Sequence, residues 1–510
     1  MEQKVIHLGT KREMFWNNYL VDDALTTAQN RMQKPTCVGP VKWLGEKVEE
    51  GSISYPCIMR DDKGYRMYYV AWHQEQSEFT DEEIVAAVSR VCVLESQDGM
   101  NWTRPNVGLY EFDGNKDNNI VIPHTDFRDN AFVFYDTNPN CPPEEKYKCF
   151  VDGIPAKNEE ERRRPGAMKR GLWYYYSADG YKFNCYGLVH VCGNYDTLNT
   201  ARWDGEKYVA YIRNYHNFPM EHASGAITID GIEDINEHVI PQPEKNLGIR
   251  DIRVMYSDDF RNWSRPERIQ FNDDLDIPMY TNNVIVYDRA PHILIGMPVR
   301  YCERKKWTEN FAQMPRVDFR QEMIAAGTPR EGLAITDCIF MWSRDGLHWD
   351  RSMESFMTPR YEKKYNWVYG DCYPSYGYID TGDEYLNFYT IEYSSVDESA
   401  KPLMLHKIRK DGFGCYWSGG KEEVLVTKPI TFEGSKLHLN FEGSAYGHLY
   451  VEVLSADGKT SFGKSFEIFG DNIDRVVTLE DGSDFSQFAG KPVRLKFSML
   501  DTKLYSLKFD

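Results

Sequence analysis

Acidic residues recur in one setting along this chain, in the short run that opens an apolar strand. Asp129 lies in Asp126-Phe127-Arg128-Asp129-Asn130, Asp196 follows Tyr195, Asp276 opens Asp276-Ile277-Pro278-Met279-Tyr280, and Asp371 follows Gly370. A fifth opening of the same kind, Ser54-Tyr55-Pro56-Cys57, carries Tyr55 where a carboxylate would stand. Further polar groups follow or begin neighbouring strands: Arg213, Glu221, His222, Arg300, Asp337 and Glu392. Carboxylates gathered with arginine, histidine and aromatic side chains suit cleavage of a glycosidic bond. One carboxylic acid protonates the leaving oxygen, while a second carboxylate attacks the anomeric carbon or activates water. Crowding raises the pKa of some members of such a set, which favours a general acid. Any one aspartate at a strand end more often caps a turn or accepts a backbone N–H. Four of five openings carrying one points to a shared site. The catalytic candidates are Asp129, Asp196 and Asp276, with Asp371 and Glu221 in reserve. Tyr55, Arg128, Arg213, His222, Arg300, Asp337 and Glu392 are expected to hold the substrate.

The elements that position these residues are announced by a repeated phrase. Ser343-Arg344-Asp345-Gly346-Leu347-His348-Trp349 reads as a strand end, a tight Asp-Gly turn and a Trp opening the next strand. It recurs as Ser96-Gln97-Asp98-Gly99 before Trp102, Ser177-Ala178-Asp179-Gly180 before Phe183, and Ser257-Asp258-Asp259 before Trp263. A weaker copy is Asp411-Gly412-Phe413. The turn aspartates at 98, 179, 259, 345 and 411 are separated by 81, 80, 86 and 66 residues. A fixed period reports a repeated supersecondary unit. An aromatic strand precedes each turn, such as Tyr65–Tyr69, Tyr147–Phe150 and Tyr385–Tyr389. The unit is therefore four antiparallel strands, and repeated radially it makes a propeller blade. The expected blades span about 52–102, 127–183, 196–263, 276–349 and 367–417, and the fold class is all-β, a five-bladed β-propeller. In such a blade the start of strand one, the end of strand two and the start of strand three meet on one face of the disc. The candidate residues are thereby aimed at one central funnel.

Residues 1–45 carry a short apolar run, Met14–Val21, expected to pack on the propeller or to supply a strand that closes its ring, giving a domain over 1–423. From about Val424 short alternating strands such as Lys436–Phe441, His448–Leu454 and Pro492–Phe497 read as a compact β-sandwich over 424–510. Helix signals are weak; the best are Asp81–Ala87 and Asn158–Arg162, both in long loops. The formal net charge of -18 argues against nucleic acid and anionic membranes as partners. Eleven cysteines without a CxxC pair or zinc spacing suggest reduced thiols and a cytoplasmic location. No run approaches a membrane span in length, and the first residues lack the apolar run of a signal peptide. Asp113-Gly114-Asn115-Lys116-Asp117 has calcium-loop spacing for three ligands but lacks the later Gly and Glu, so a plain turn is expected. No nucleotide- or cofactor-binding motif stands in a suitable context. The expectation is therefore no metal, no cofactor, a carbohydrate partner, and self-association left open.

These marks resemble the five-bladed glycoside hydrolases, the group of invertases, levanases and arabinofuranosidases. They comprise a loose F-x-D-x-x-L-I/V phrase at Phe15–Val21, a DDGxYRMWY-like strand at Asp61–Tyr69, SRDGxxWxR at Ser343–Arg351, DGF at Asp411–Phe413 and GKPVRLKF at Gly490–Phe497. The resemblance spans nearly the whole chain and specifies scaffold more than substrate. It implies that Asp129, in Phe127-Arg128-Asp129, stabilises the transition state, and that Asp196 stands where that family's general acid opens blade three. The family's nucleophilic Asp precedes a Pro in blade one, where this chain has Tyr55 before Pro56. That departure implies an inverting mechanism with Asp276 or Asp371 as base, a tyrosine nucleophile, or lost catalysis. The resulting expectation is a hydrolase acting on a short oligosaccharide, with a fructo- or arabino-furanoside among the candidates. A phosphorylase on the same fold and a non-catalytic sugar-binding propeller are the alternatives.

Overall fold

The repeated phrase folds the same way wherever it occurs. In a computed structural model that describes residues 4–76, 85–123, 130–152, 171–216, 249–273, 275–304, 306–326, 329–363, 366–392 and 401–510, Ser343 Oγ accepts the Gly346 amide at 2.9 Å. Asp345 Oδ1 accepts the amides of Leu347 and His348 at 2.9 and 2.7 Å. The same bonds recur about Asp98 and Asp179, and two of them about Asp259. A side-chain carboxylate thus satisfies amides that the tight turn takes out of the ladder.

The turn is also a clasp between blades. Tyr68 Oη donates to Gly180 O at 2.8 Å, Tyr211 Oη to Gly346 O at 3.0 Å, and Tyr389 Oη to Gly99 O. Each donor lies on the second strand of one blade and each acceptor in the turn of the next. Gly180 and Gly346 have φ of +78° and +80°, and a Cβ there would stand 2.5 and 2.6 Å from the tyrosine oxygen. Both backbone conformation and close approach therefore call for glycine. In blade three Phe260 takes the turn position with φ +64° and stacks on Phe150 of blade two at 4.7 Å.

Five sheets make the ring. Blade I is Ser52–Asp61, Gly64–Gln76, Val85–Ser96 and Ile120–Ile122; blade II is Ala131–Tyr135, Tyr147–Asp152, Leu172–Ser177 and Asn184–His190. Blade III is Thr200–Trp203, Tyr208–His216, Ile249–Ser257 and Glu267–Arg268. In blade IV both middle strands are broken, into Leu294–Gly296 with Val299–Glu303 and Ala334–Cys338 with Met341–Ser343. Pro298 has no amide for the ladder, and its carbonyl instead accepts the Ile339 amide at 3.0 Å. Blade V is Ile379–Asp380, Tyr385–Ile391 and Lys401–Arg409, and its outer strand is Thr36–Leu44, which closes the ring antiparallel to Lys401–Arg409. The closing strand thus comes from within 1–45, but not from the apolar Met14–Val21 run. The strand after the fifth turn, Gly414–Ser418, leaves blade V and pairs with Gln29–Met32 and with Thr502–Leu504.

Gly414–Ser418 belongs to a second, ten-stranded sheet that takes strands from both chain ends, including Ile6–Gly9, Glu13–Met14, Leu437–Ser455 and Val493–Phe509. Its own core is built on Phe441, Leu449, Val451, Phe497 and Leu507. Trp16 sits between the two units, packed edge-on against Phe340 and Phe413, its indole N–H on Asp411 O at 2.7 Å.

Among the described residues two α-helices interrupt the strands, Val317–Ala325 and Pro329–Leu333, both in the blade IV loop between Glu303 and Ala334. Sequence patterning missed them because the first is polar on most faces and buries only Arg320. Of the run expected to be helical at 81–87, residues 85–87 are strand, and the rest, with 158–162, lies outside the described residues. No helix among the described residues is long and apolar enough to cross a membrane, and no two of the eleven cysteines form a disulfide.

Candidate functional site

The antiparallel order of each blade brings inner-strand starts, second-strand ends and third-strand starts to one mouth of the ring. Asp196, Asp276 and Asp371 all precede the inner strands of their blades, at 200–203, 285–286 and 379–380. A belt of side-chain and backbone bonds just inside the mouth fixes the blades relative to one another. Asn130 Nδ2 donates to Tyr195 O at 2.9 Å, Thr197 Oγ1 to Tyr280 O at 2.9 Å, Asn283 Nδ2 to Pro374 O at 2.8 Å, and the Tyr376 amide to Pro56 O at 2.8 Å. These four bonds join blade II to III, III to IV, IV to V and V to I.

Five tyrosines line the centre. Tyr55 meets Tyr373 edge-on at 6.5 Å, Tyr280 meets Tyr373 at 5.7 Å and stacks with Tyr301 at 6.0 Å, and Tyr301 meets Tyr369 at 5.5 Å. Tyr55 reaches them because its strand bulges between Ser54 and Cys57, giving Tyr55 a φ of +54°. That conformation is strained for a non-glycine residue, and the Tyr376–Pro56 bond beside it holds the bulge in place. On the other side, Trp367 and Cys372 also take positive φ, +65° and +60°. Arg320, from the polar helix, pins that loop by donating to Trp367 O and to Gly332 O. A cavity of about 90 Å³ opens between Tyr55, Pro56, Tyr369, Gly370 and Tyr373.

Asp196 stands at this centre, its side chain 42% exposed, and pairs with Arg213 Nη2 at 3.2 Å. Arg213 is itself only 1% exposed and also donates to Asn194 O and Oδ1, at 3.1 and 2.6 Å. Its guanidinium lies 4.8 Å from the Tyr280 ring centre. Desolvation and then the Asp196 charge push the Tyr280 hydroxyl above the usual tyrosine range. Tyr280 is therefore a neutral donor at any physiological pH.

Asp276 lies farther out, between blades III and IV, in a cleft of about 650 Å³ lined also by His216, Arg250, Asp251 and Arg268. His216 Nε2 contacts both Asp276 oxygens at 2.8 and 2.9 Å, and its Nδ1 contacts Asp251 at 3.2 Å. Arg253 in turn donates to both oxygens of Asp251, at 3.0 and 3.1 Å. The Asp251 bond, opposed by burial and aided by Asp276, raises the imidazole above its ordinary pKa. Burial acts to raise Asp251, but His216 and Arg253 outweigh it and hold that carboxyl low. The result is a carboxylate–imidazole–carboxylate chain with one end open to the cleft.

Asp371 is turned back on its own loop. It accepts the Val368 amide at 3.0 Å, and desolvation pushes it up to about 7 against the lowering pull of that amide, the Trp367 amide, Arg320 and Arg360. Arg300 and Asp337 face one another across the second and third strands of blade IV in a two-point ion pair of 2.7 and 2.5 Å. Arg300 also donates to Met353 O, so each is largely occupied by protein. Glu392 pairs with Arg360. Arg128, Asp129, Glu221 and His222 lie outside the described residues.

The structure thus gathers Tyr55, Asp196 and Arg213 at the centre, with Asp276 in the adjoining cleft. The expected site left out Arg250, Asp251, Tyr301 and Tyr369. The first two open the third strand of blade III, where the strand-order rule expects site residues. The long 217–248 stretch hid from the sequence where that strand begins. Among the described residues no cluster of three His, Cys, Asp or Glu is arranged to hold a metal ion.

No family model and no curated protein matches the chain. Solved structures similar to it include a protein titled glycoside hydrolase, at 11% identity over 74% of this chain and 92% of that one, TM-score 0.44. Another is an N-acetylgalactosamine deacetylase from F. plautii in complex with blood group B trisaccharide, at 10% identity over 76% and 96%, TM-score 0.40. A third is a GH32 β-fructofuranosidase from Bombyx mori, at 10% identity over 93% of this chain and 94% of that one, TM-score 0.39. Likenesses this distant leave the chemistry to be argued from the site's own residues.

Proposed function

We propose that this propeller is a glycoside hydrolase that cleaves a short oligosaccharide at the mouth of the ring. The observation that carries the reading is the accessible Asp196 carboxylate, fixed by buried Arg213 within a ring of tyrosines and next to a cleft holding a second accessible carboxylate, Asp276. An arginine-held carboxylate is placed to oppose the positive charge that develops on the sugar ring as the glycosidic bond breaks. Asp276, 48% exposed and bonded to His216, is the partner that activates water or protonates the leaving oxygen. His216, its imidazole raised above the ordinary range by Asp251 and Asp276, moves protons between the two carboxylates. The tyrosine faces provide apolar surface for sugar C–H groups and their hydroxyls provide donors. Strained Tyr55, Trp367 and Cys372 cluster at the same mouth, as backbone strain tends to do at working sites. Asp371, facing its own loop, accepts the Val368 amide and so braces the loop that carries Tyr369.

A cleft of about 650 Å³ falls in the range of small-ligand sites and suits a few sugar units. A phosphorylase needs basic groups at the mouth to hold phosphate, and Arg300, one such candidate, is occupied by Asp337. The test is release of product from a panel of aryl glycosides and short fructo- and arabino-oligosaccharides by the wild type, Asp196→Asn and Asp276→Asn. Turnover by wild type that falls about a hundredfold or more in both variants supports the reading. Turnover unaffected by either substitution overturns it.

A further inference from the structure

We infer that the site recognises a negatively charged oxyanion on its ligand, held by Arg250 together with Arg213; the inference rests on the sugar-cleaving reading above and names the substrate class it implies. The starting observation is one guanidinium with no counter-charge among the described residues. Around the mouth and its cleft, Arg213 pairs with Asp196, Arg253 with Asp251, and His216 with Asp251 and Asp276. Arg268 lines the outer wall of the cleft. Arg250 is 7% exposed and, among the described residues, makes no ion pair, and its buried Nε finds no hydrogen-bond partner there; nor does the buried Arg213 Nη1.

Leaving a buried cation unpaired is costly, and proteins keep such groups where a partner arrives. Aromatic faces hold Arg250 in position without quenching it, since its guanidinium lies 4.3 Å from the Tyr301 ring centre and 5.4 Å from that of Tyr215. Arg213 shares the Tyr280 face, at 4.8 Å against 5.6 Å for Arg250, so the two guanidiniums flank one ring. Arg250 also lines the cleft beside Asp276. The part of its guanidinium that borders the cleft therefore faces a ligand seated there, and an arginine edge matches the two oxygens of a carboxylate or phosphate group. The ligand is a sugar carrying a carboxylate or an esterified oxyanion, or a sugar bound together with a free oxyanion.

The experiment is titration of the full chain, at fixed ionic strength, with D-glucuronate, D-galacturonate, their neutral parents D-glucose and D-galactose, and inorganic phosphate. It is followed by calorimetry and by thermal shift, and repeated on Arg250→Gln, Arg250→Lys and Asp196→Asn. At least one oxyanion should bind about tenfold or more tightly than the neutral sugars. Arg250→Gln should abolish that preference, and Arg250→Lys should retain part of it. A preference for uronate assigns the oxyanion to the sugar, and a preference for phosphate assigns it to solution. Should Arg250→Gln fail to fold, the wild-type ratio of acid to neutral binding decides. Equal binding of acids and neutral parents, no binding of any oxyanion, or a preference indifferent to Arg250→Gln overturns the inference. Oxyanion preference without turnover of any sugar would break the hydrolase reading alone. Turnover lost in Asp196→Asn with no oxyanion preference would break this inference alone.

Discussion

The two faces of the propeller use the same residue for opposite ends. On the face carrying the turns, Asp98, Asp179, Asp259, Asp345 and Asp411 are all held below the usual carboxylate range. Asp345, for example, is brought down to about 2 against the desolvation of its surroundings by the His348 and Leu347 amides and the His348 ring. Asp411 is wholly buried, and burial acts to raise it, but Arg289, Arg12 and Tyr287 outweigh that and hold it at about 2. At the mouth, Asp371 is pushed the other way, to about 7, while Asp196 and Asp276 stay close to half exposed, beside Arg213 and His216 respectively. Carboxylates that repeat with the blades are saturated by donors and serve the fold. Those that break the repeat, blade by blade, are left with capacity for a ligand.

The sharpest way to break that contrast is to remove a saturated carboxylate. Asp411→Ala strands Arg289 and Arg12 without their shared partner and leaves Tyr287, Asn440 and Ser506 short of a hydrogen bond. A loss of about 3–5 kcal/mol in chemical denaturation is expected, with the junction between propeller and second sheet weakened first. Removing the unsaturated one should do the reverse. Asp371→Asn replaces a group that burial keeps reluctant to ionise, so at pH 8 it should stabilise the fold, by on the order of 1–3 kcal/mol, and by less at pH 5.

The same contrast has opposite pH signatures. Asp411, depressed to about 2, contributes stability above its unfolded pKa that is lost as pH falls from about 4 to 2, roughly 2 kcal/mol in all. Asp371, raised to about 7, binds its proton more tightly in the folded state, so stability declines as pH climbs from about 4 to 7 and levels off above. Melting curves of the wild type and the two single variants across pH 2–8 separate the contributions: the acid limb should vanish in Asp411→Ala and the neutral decline in Asp371→Asn. The smallest effect concerns the clasp. Tyr211→Phe deletes one bond to Gly346 O while keeping the ring against Trp349, and a loss of about 1 kcal/mol is expected.

The turn face was legible in the sequence because its chemistry is local. Asp345 and Gly346 are adjacent, the amides they serve follow at once, and the phrase repeats. Ring closure was legible only as a need: nothing in Thr36–Leu44 says that its partner is Lys401–Arg409, since that pairing is decided across the whole chain. The same holds for Gly414–Ser418, which follows a blade-like turn and then joins another sheet. At the mouth, the rule for strand ends led to Asp196, Arg213, Tyr55 and Asp276. It failed to reveal that Arg300 and Asp337, read separately as substrate groups, sit opposite one another in register and bind each other. It also missed Arg250, because a lone arginine after a long loop looks like any surface cation until its burial and its lack of a partner are known.

The most direct test of the account is product formation from short oligosaccharides by the wild type and by Asp196→Asn, run with and without phosphate and with melting temperature as the control for folding. The account predicts phosphate-independent turnover by the wild type and a fall of about a hundredfold or more in a variant that still melts where the wild type does. Undiminished turnover in Asp196→Asn, or tight sugar binding by the wild type with no product from any of the panel, would contradict it.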